Sequence, residues 1–351
     1  MGETGLLWFG SQLLREANSS TPKVNQMTSH RYNCFFCFVP SFTAMDLRQL
    51  HALLAVAEHR SFSAAARALH TVQSNVSTHI ARLEQEVGAV LIERSRGELT
   101  AEGEIVADRA RRIISELRSI EDDLVSHRDD VSGHVRLGII GTTARWLVAP
   151  LLERLNAAFP RVEIAIIEAT TTSLLPQLLS GRLDAAVINL PADHPDVDTR
   201  PLFDEERIIV APRNHELARQ KRVSLKELAN HEILMPPSGT AFRDEIETDA
   251  RRARVTLKAK AEVDGLRLLT SLAFQGFGPA LVPASAAPNY LTGDWVRLPV
   301  DGLSPRSVGI AVSRRSPPST PTRMAVESLI ALVSSTGPSL AAIKPTTSET
   351  G

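Results

Sequence analysis

The chain has 351 residues, of which 43% are hydrophobic and 23% charged, so it suits two or three globular domains of ordinary composition. A formal net charge of −1 gives no sign of bulk positive charge for nucleic acid, and two cysteines exclude a fold held together by many disulfides. No apolar run reaches the roughly 20 residues that a membrane helix needs. The low cysteine count favours a reduced, cytoplasmic setting.

Residues 1–44 differ from the rest in having short apolar patches separated by Ser, Thr and Asn. They lack the basic start, apolar stretch and cleavage site of a secretory signal. They contain both cysteines, Cys34 and Cys37, in a CxxC pair that could ligate a metal or cycle between redox states. A zinc site needs about four ligands, and no second CxxC or His pair matches. We therefore predict a disordered extension, or a true start at Met45.

Three helices are predicted in the segment that follows Met45. The first covers residues 47–58, the second runs from Phe62 to Leu69, and the third follows a short turn at residues 70–72. The apolar positions of the third recur at spacings of four, three and four, at Val76, Ile80, Leu83 and Val87. Two short helices joined by a tight turn describe a helix-turn-helix.

The face of the third helix opposite these apolar residues is polar and suits base recognition. Gln73 can pair with adenine through two hydrogen bonds, and Ser74, Ser77 and Thr78 are short enough for close approach. Over residues 46–101 six arginines are balanced by six carboxylates. Any electrostatic attraction to DNA must therefore come from the positions of the arginines, at turns and on exposed faces where phosphates would lie. The pattern alone leaves open a helical bundle with a solvated Ser/Thr face.

Several motifs in this region resemble the LysR-type transcriptional regulators. They are the runs Phe62–Leu69 and Gln73–Glu84, then Gly88, Leu91–Arg94 and Leu99–Gly103. The resemblance implies a winged helix-turn-helix over residues 45–103, with the third helix in the major groove and a wing around Arg94 on the DNA backbone. The DNA-binding residues predicted on this basis are Gln73, Ser74, Ser77, Thr78, His79, Arg82, Arg94 and Arg96.

Three departures from the family pattern affect the expected operator sequence and affinity. Thr78 stands where the family usually has Arg or Lys, which removes one cationic contact. Thr71 and Val72 are in swapped order, so the usual threonine cap of the third helix is weakened. The wing between Arg94 and Leu99 is about two residues short.

A long helix is predicted over residues 104–128, with an apolar seam of the kind found in coiled coils. The seam residues are Val106, Ala110, Ile113, Leu117, Ile120 and Leu124. Such a seam needs a partner, either the domain of the same chain or the same helix of a second chain. The family resemblance implies the second, an antiparallel dimer arm, and with it a homodimer or homotetramer.

Strands and helices alternate over residues 133–335, which predicts a parallel α/β fold. Strands are expected near residues 135–140, 162–168, 183–188, 208–211, 279–282 and 308–312, with helices between them. The arrangement resembles the two-lobed type 2 periplasmic-binding fold of LysR effector domains. We place lobe I at about 133–207 and 283–335, lobe II at about 208–282, and a flexible tail at 336–351.

Hydroxyl residues follow several of the predicted strands and precede helices, where ligands bind in such folds. The predicted effector-binding residues are Thr142, Thr143, Thr171, Ser238 and Thr240. Each of them could instead simply cap a helix. Arg145 could add positive charge for a carboxylate or lie at the surface.

Enzymatic motifs such as a G-x-S-x-G elbow, an H-E-x-x-H pair or a P-loop are missing from the sequence. The favoured function is a sequence-specific transcriptional regulator controlled by a small-molecule effector, an organic anion, without a cofactor or metal. The expected partners are double-stranded promoter or operator DNA, a second copy of the chain and, as a candidate, RNA polymerase, which places the protein at the nucleoid. Two alternatives stay open: a constitutive regulator with a vestigial cleft, and a solute-binding protein, which would need export.

Overall fold

A computed structural model describes residues 45–126, 131–340 and 342–346 of the chain. The predictions made for residues 1–44, including the CxxC pair, lie outside these residues. Within them, no helix is long and apolar enough to cross a membrane.

The N-terminal part is a winged helix-turn-helix. Its elements are α1 (Leu47–His59), α2 (Phe62–Ala68), α3 (Gln73–Val87), β1 (Ile92–Glu93) and β2 (Glu98–Leu99). Asp46 caps α1 by accepting a hydrogen bond from the Gln49 amide at 2.9 Å, and Ser61 caps α2 by accepting one from the Ala64 amide at 3.3 Å. Leu53 and Ile80 are fully buried where these helices meet. All three helices agree with the sequence prediction.

Helix α4 (Ala101–Ser126) connects the DNA-binding part to the remainder. It begins three residues before the predicted start because the Thr100 hydroxyl accepts a hydrogen bond from the Gly103 amide at 3.0 Å. Of the predicted seam, Ala110 is buried in the chain's own helix-turn-helix core and Val106 is half-buried against it. The remaining seam residues are exposed, namely Ile113, Leu117, Ile120 and Leu124.

The effector region contains two lobes, and the chain enters lobe I first. That pass contains β3 (Ser132–Ile139), α5 (Gly141–Ala158), β4 (Arg161–Glu168), α6 (Thr171–Leu179), β5 (Ala185–Leu190) and β6 (Val197–Glu205). Lobe II contains β7 (Arg207–Pro212), β8 (Val223–Ser224), α7 (Leu225–Leu228), β9 (Glu232–Met235), α8 (Ala241–Arg252), β10 (Lys258–Glu262), α9 (Leu266–Phe274), β11 (Ala280–Pro283) and β12 (Trp295–Asp301). The chain then returns to lobe I through β13 (Arg306–Ser313), α10 (Thr320–Thr336) and β14 (Ile343–Pro345).

Each lobe is built on a six-stranded sheet. The order in lobe I is β14-β6-β13-β5-β3-β4, and in lobe II it is β10-β9-β11-β7-β12-β8. In lobe I, β3 runs parallel to both β4 and β5, with Ile139 opposite Glu168 on one side and Val187 on the other. The carboxyl ends of these three strands therefore meet at one edge, and α5 and α6 begin there. Helix α4 packs on β3 and α10 of this lobe.

The predicted boundary between the lobes at residue 282 is wrong. Strand β12 pairs antiparallel with β7, for example Arg297 with Val210, so residues 283–301 belong to lobe II. The chain crosses back between residues 301 and 306. Because β12 is held by pairing with a strand about 90 residues earlier, its lobe could not be read from local pattern.

The prediction of a flexible tail at residues 336–351 is also wrong for its described part. Strand β14 adds to the edge of lobe I by pairing antiparallel with β6, with Ile343 opposite Glu205. Leu340 and Ile343 are buried in the core of lobe I. Two apolar side chains and a free sheet edge account for the order of this segment.

Candidate DNA-binding surface and effector cleft

Helix α3 presents two chemically different faces. Val76, Ile80 and Leu83 are fully buried in the domain core. The predicted base-reading residues lie on the other side: Gln73, Ser74, Thr78 and Arg82 are exposed, and Ser77 and His79 are half-buried. The helix is therefore anchored by one face while the other is available to a groove of DNA.

The N-terminus of α3 lacks the expected side-chain cap. Val72 occupies the N-cap position in extended conformation and makes no capping hydrogen bond. The Thr71 hydroxyl instead accepts a hydrogen bond from the Asn75 side-chain amide at 3.0 Å. The predicted weakening of this cap by the order Thr71-Val72 is confirmed.

Two of the predicted reading residues are already engaged in hydrogen bonds within the protein. The Ser63 hydroxyl donates to Gln73 Oε1 at 2.8 Å, which links α2 to the first residue of α3. The Thr78 hydroxyl donates to the Ser74 carbonyl at 2.8 Å, one turn earlier in the helix. Gln73 pairs with adenine through both its oxygen and its amide, and because the oxygen has two lone pairs it can keep the Ser63 bond while it accepts from the base.

The wing is a two-stranded hairpin whose arginine contacts the recognition helix. Arg94 Nη2 forms an ion pair with Glu84 Oε2 at 3.1 Å, and its Nη1 donates to Ser77 Oγ at 3.4 Å. The same guanidinium lies 5.9 Å from the centre of the Phe62 ring. Arg96, at the turn of the hairpin, is exposed. The structure thus brings Arg94 and Ser77 together.

The predicted effector residues of lobe I lie where β3, β4 and β5 end. Thr142 is buried, and its hydroxyl accepts a hydrogen bond from Arg306 Nη2 at 2.9 Å. Thr143 is completely buried, and its hydroxyl oxygen has no hydrogen-bond partner among the described residues. An unsatisfied buried hydroxyl costs about 1–3 kcal/mol, so this oxygen is a candidate for a ligand or water contact.

Thr171 brings a further polar group to the same edge. Its hydroxyl accepts a hydrogen bond from the backbone amide of Asn189, in β5, at 3.0 Å. The side-chain oxygen of Asn189 is buried and, within the described part of the chain, is not hydrogen-bonded. Asn189 was not predicted as a site residue, because a lone Asn in an apolar strand carries no motif.

In lobe II the predicted residues form bonds of their own. The Ser238 hydroxyl donates to Glu262 Oε1 at 3.2 Å, and the Thr240 hydroxyl donates to the Pro237 carbonyl at 2.8 Å. An ion pair links the lobes instead, between Arg267 of α9 and Glu168 at the end of β4, at 2.5 Å. It lies beside Gly141, where an added Cβ would come 2.5 Å from Glu168 Oε1.

A buried ion pair of lobe I lies where the chain crosses between the lobes, and the Ser285 amide of lobe II bonds to it. Glu205 and Arg306 are almost completely buried and are bonded to each other, with Arg306 Nε donating at 2.8 Å. The Ser285 amide donates to the other Glu205 oxygen at 2.9 Å. No role is predicted from the sequence for Glu205, Arg306 or Ser285. A charged residue at the start of an apolar strand, as Arg306 is in β13, is nevertheless a sequence signal for a buried, paired charge.

Arg207, at the start of β7, extends this charged region into lobe II. Its guanidinium donates to the Ser304 carbonyl at 2.6 Å and is ion-paired with Glu245 of α8. Burial lowers the pKa of Arg207, and the nearby carboxylates oppose that shift. Each crossover between the lobes therefore carries a buried arginine held by carboxylates.

Comparisons with known proteins agree for both parts of the chain. Residues 47–104 match the family profile described as bacterial regulatory helix-turn-helix protein, lysR family, and residues 128–334 match the LysR substrate binding domain. The hydrogen peroxide-inducible genes activator of Pectobacterium carotovorum is 30% identical over 254 residues, covering 72% of this chain and 84% of that protein. The DNA-binding transcriptional dual regulator OxyR of Escherichia coli is 31% identical over 277 residues, covering 78% and 91%.

Among solved structures, a full-length OxyR variant from Pseudomonas aeruginosa superposes with a TM-score of 0.69 at 26% identity. The match covers 88% of this chain and 99% of that one. The same order of winged helix-turn-helix, linker helix and two-lobed domain is therefore present in both.

Proposed function

The chain belongs to the LysR family of DNA-binding regulators, whose activity is modulated by a small-molecule effector, and on that premise we propose how its own residues act. The exposed face of α3 reads base edges in the major groove, and an organic anion binds between the lobes. The observation that carries the first part is the division of α3 into a fully buried face and an exposed polar one.

Specific recognition rests on Gln73, with Ser74 and Ser77 beside it. A glutamine held at the start of a recognition helix pairs with adenine, and each such bidentate contact is worth about 1–3 kcal/mol of discrimination. Arg94 and Arg96 contact phosphates of the backbone on this proposal. Arg94 has to exchange its ion pair with Glu84 for a phosphate, whereas the exposed Arg96 has no such bond to give up among the described residues.

In vitro selection from a random duplex library, followed by titration of the selected operator at several salt concentrations, tests this part. We expect affinity to fall steeply with salt, and Arg96→Gln to reduce the logarithmic slope by about 0.9. Arg213→Gln is the matched control, because Arg213 is an exposed lobe II arginine paired with Asp294 and should leave the slope unchanged. An affinity that does not change with salt would contradict the proposed phosphate contacts.

The proposed effector site lies at the N-termini of α5 and α6. Thr143 Oγ1 and Asn189 Oδ1 are buried atoms without a partner among the described residues, and helix N-termini favour negative charge. Because Thr142 and Thr143 are buried, entry of a ligand requires the lobes to part and the Arg267–Glu168 pair to open.

A thermal-shift screen with small carboxylates tests the effector proposal. A carboxylate that raises the melting temperature should lose its effect in Thr143→Val. Thr248→Val is the control, since Thr248 is half-buried on α8 and its hydroxyl bonds only within that helix, donating to the Asp244 carbonyl and accepting from Arg251 Nη2. Stabilisation that persists in Thr143→Val would place the ligand elsewhere.

The effector differs from peroxide acting on a thiol. Hydrogen peroxide oxidises thiolates, and in this chain the only cysteines are Cys34 and Cys37, so residues 45–351 contain none. The peroxide response that the relatives' names describe is therefore not carried over to this chain. We expect operator binding by the wild-type chain to be unaffected by peroxide, and a peroxide response that is lost in a Cys34→Ser/Cys37→Ser variant would contradict this.

Self-association through α4 belongs to the same proposal. Ile113, Leu117, Ile120 and Leu124 are 45%, 38%, 50% and 64% exposed along one side of the helix, and a second copy would cover them. Leu117→Glu combined with Ile120→Glu should produce monomers in analytical ultracentrifugation. An unchanged sedimentation coefficient would argue against α4 as the dimer arm.

A constitutive regulator is the second candidate function. It is favoured by two contacts at the cleft: the Thr142 hydroxyl is already bonded to Arg306 within lobe I, and Arg267 of lobe II is ion-paired with Glu168 of lobe I. A screen in which no carboxylate shifts the melting temperature, while operator binding is intact, would support it over the effector proposal.

A further inference from the structure

A groove separate from the effector cleft lies between the DNA-binding domain, α4 and lobe I. It encloses about 740 Å³, within the range of small-molecule sites. Its lining includes five arginines, namely Arg60, Arg111, Arg118, Arg136 and Arg182, and a single carboxylate, that of Glu58. Two histidines of α1, His51 and His59, also line it. The groove is therefore strongly biased towards positive charge.

Three of the arginines are partly neutralised by carboxylates outside the lining. Arg136 pairs with Asp184 at 2.6 Å, and Arg111 pairs with Asp108 at 2.5 Å. Arg60 pairs with Glu98 at 3.4 Å, where both side chains are largely exposed and the interaction is weak. These pairs hold the guanidiniums in place but leave hydrogen-bond donors of each available.

The remaining two arginines have no such compensation. Neither Arg118 nor Arg182 has an ion-pair partner among the residues that the structure describes. The side chain of Arg111 is only 13% exposed, and burial together with the charge of Arg182 lowers its pKa. Like charges gathered in a concave site raise the local concentration of anions.

The groove is distinct from the proposed dimer seam. At 100° per residue, the lining residues Arg111, Ile114 and Arg118 are centred about 120° around α4 from the seam. A second copy packed on the seam therefore does not cover the groove through α4. The groove also takes residues from Gly181 and Arg182, which follow α6 at the end of lobe I away from the strand edge where β3, β4 and β5 terminate.

We propose that this groove binds a small, multiply charged oxyanion carrying phosphate or carboxylate groups, with Arg111, Arg118 and Arg182 as its ligands. A guanidinium presents paired donors that match both groups in bidentate geometry. The ligand would contact α4 and lobe I, with the DNA-binding domain forming the third wall. By linkage, an anion that favours this arrangement changes operator affinity, and DNA changes anion affinity by the same factor.

Isothermal titration calorimetry of the full chain with pyrophosphate and with citrate tests the proposal. Binding of either probe, weakened at least tenfold by Arg118→Gln and by Arg182→Gln, is the expected result, and the stronger probe identifies the anionic group. Arg118→Lys and Arg182→Lys keep the charge and should retain part of the affinity. Because Arg118 and Arg182 are exposed, their replacement should leave the fold intact, which circular dichroism checks.

Two controls separate this groove from the other sites. Arg96→Gln removes a cation of the DNA-binding surface, and Thr143→Val alters the effector cleft; both should leave pyrophosphate and citrate binding unchanged. Failure of both probes to bind would overturn the proposal, as would binding that is lost in either control but kept in Arg182→Gln. Failure of both probes to bind leaves the proposed DNA-binding and effector sites unaffected, whereas loss of binding in a control would place the probe at the site which that control alters.

Discussion

Replacing Glu205 by glutamine should strongly destabilise the two-lobed domain. Its carboxylate accepts hydrogen bonds from Arg306 and from the Ser285 amide, and the side chains of Glu205 and Arg306 are 0% and 3% exposed. The substitution keeps the shape of the side chain but removes its charge. It leaves the guanidinium of Arg306 buried without a counter-charge. The NH2 group of the glutamine is itself a donor, and it would face either the guanidinium of Arg306 or the Ser285 amide, which are donors too.

The size of the effect follows from this burial. Removing one partner of a buried ion pair costs about 3–5 kcal/mol, because the remaining charge is left uncompensated. For a domain of about 200 residues, each kcal/mol lowers the melting temperature by about 2–4 °C, which gives a decrease of roughly 6–20 °C. The exposed pair between Arg222 and Asp301 is the reference, with side chains 60% and 50% exposed. Breaking it by Asp301→Asn should cost no more than about 1 kcal/mol.

Differential scanning calorimetry of the full chain measures both variants under one condition. Glu205→Gln should melt well below Asp301→Asn, and the double variant Glu205→Met/Arg306→Met should recover part of the loss, since the unpaired charge is then gone. Equal melting temperatures for Glu205→Gln and Asp301→Asn would refute the assignment of Glu205 and Arg306 as a buried, coupled pair.

Three further predictions concern local features. Val72→Thr should supply the missing cap of α3 and raise the unfolding free energy by about 1 kcal/mol in urea titration, whereas no gain would mean that another group satisfies that helix end. Gly97→Ala should destabilise the wing and weaken operator binding, because Gly97 has φ +65° and an added Cβ would lie 2.4 Å from the Arg60 carbonyl oxygen; full operator affinity would contradict this. Burial, then the charge of His231, lowers the pKa of His215 from 6.5, so the unfolded chain binds more protons and the unfolding free energy should fall as pH drops below 6.5. His215→Phe should flatten this pH dependence, and an unchanged slope would exclude His215 as its source.

The parts of the fold that could be predicted are those coded by nearby residues. Helices α1 and α2 have side-chain caps at Asp46 and Ser61 and apolar residues at helical spacing, so their bounds could be read from a few neighbouring positions. The same holds for the exposed polar face of α3. Pairing between distant segments leaves no such local trace, which is why the sequence pattern assigns β12 to the wrong lobe and predicts a flexible tail where β14 forms.

The effector cleft shows the same limit at the level of single side chains. Thr142 stands at the start of α5, where the sequence indicates either a cap or a ligand contact. Its actual partner, Arg306, comes from 164 residues further along the chain. The ion pair between Arg267 and Glu168 likewise joins residues 99 positions apart. A hydroxyl at a helix start could be predicted, but the group that it meets could not.

The central claim is that the exposed face of α3 reads sequence, and operator discrimination tests it most directly. Fluorescence anisotropy would compare the wild type with Gln73→Ala and Ser77→Ala on the selected operator and on an unrelated duplex. We predict that Gln73→Ala weakens operator binding by about 5- to 160-fold, as expected for a lost bidentate contact worth about 1–3 kcal/mol, and that binding to the unrelated duplex is unchanged. Unaltered operator affinity in both variants, or equal losses on both duplexes, would contradict the claim.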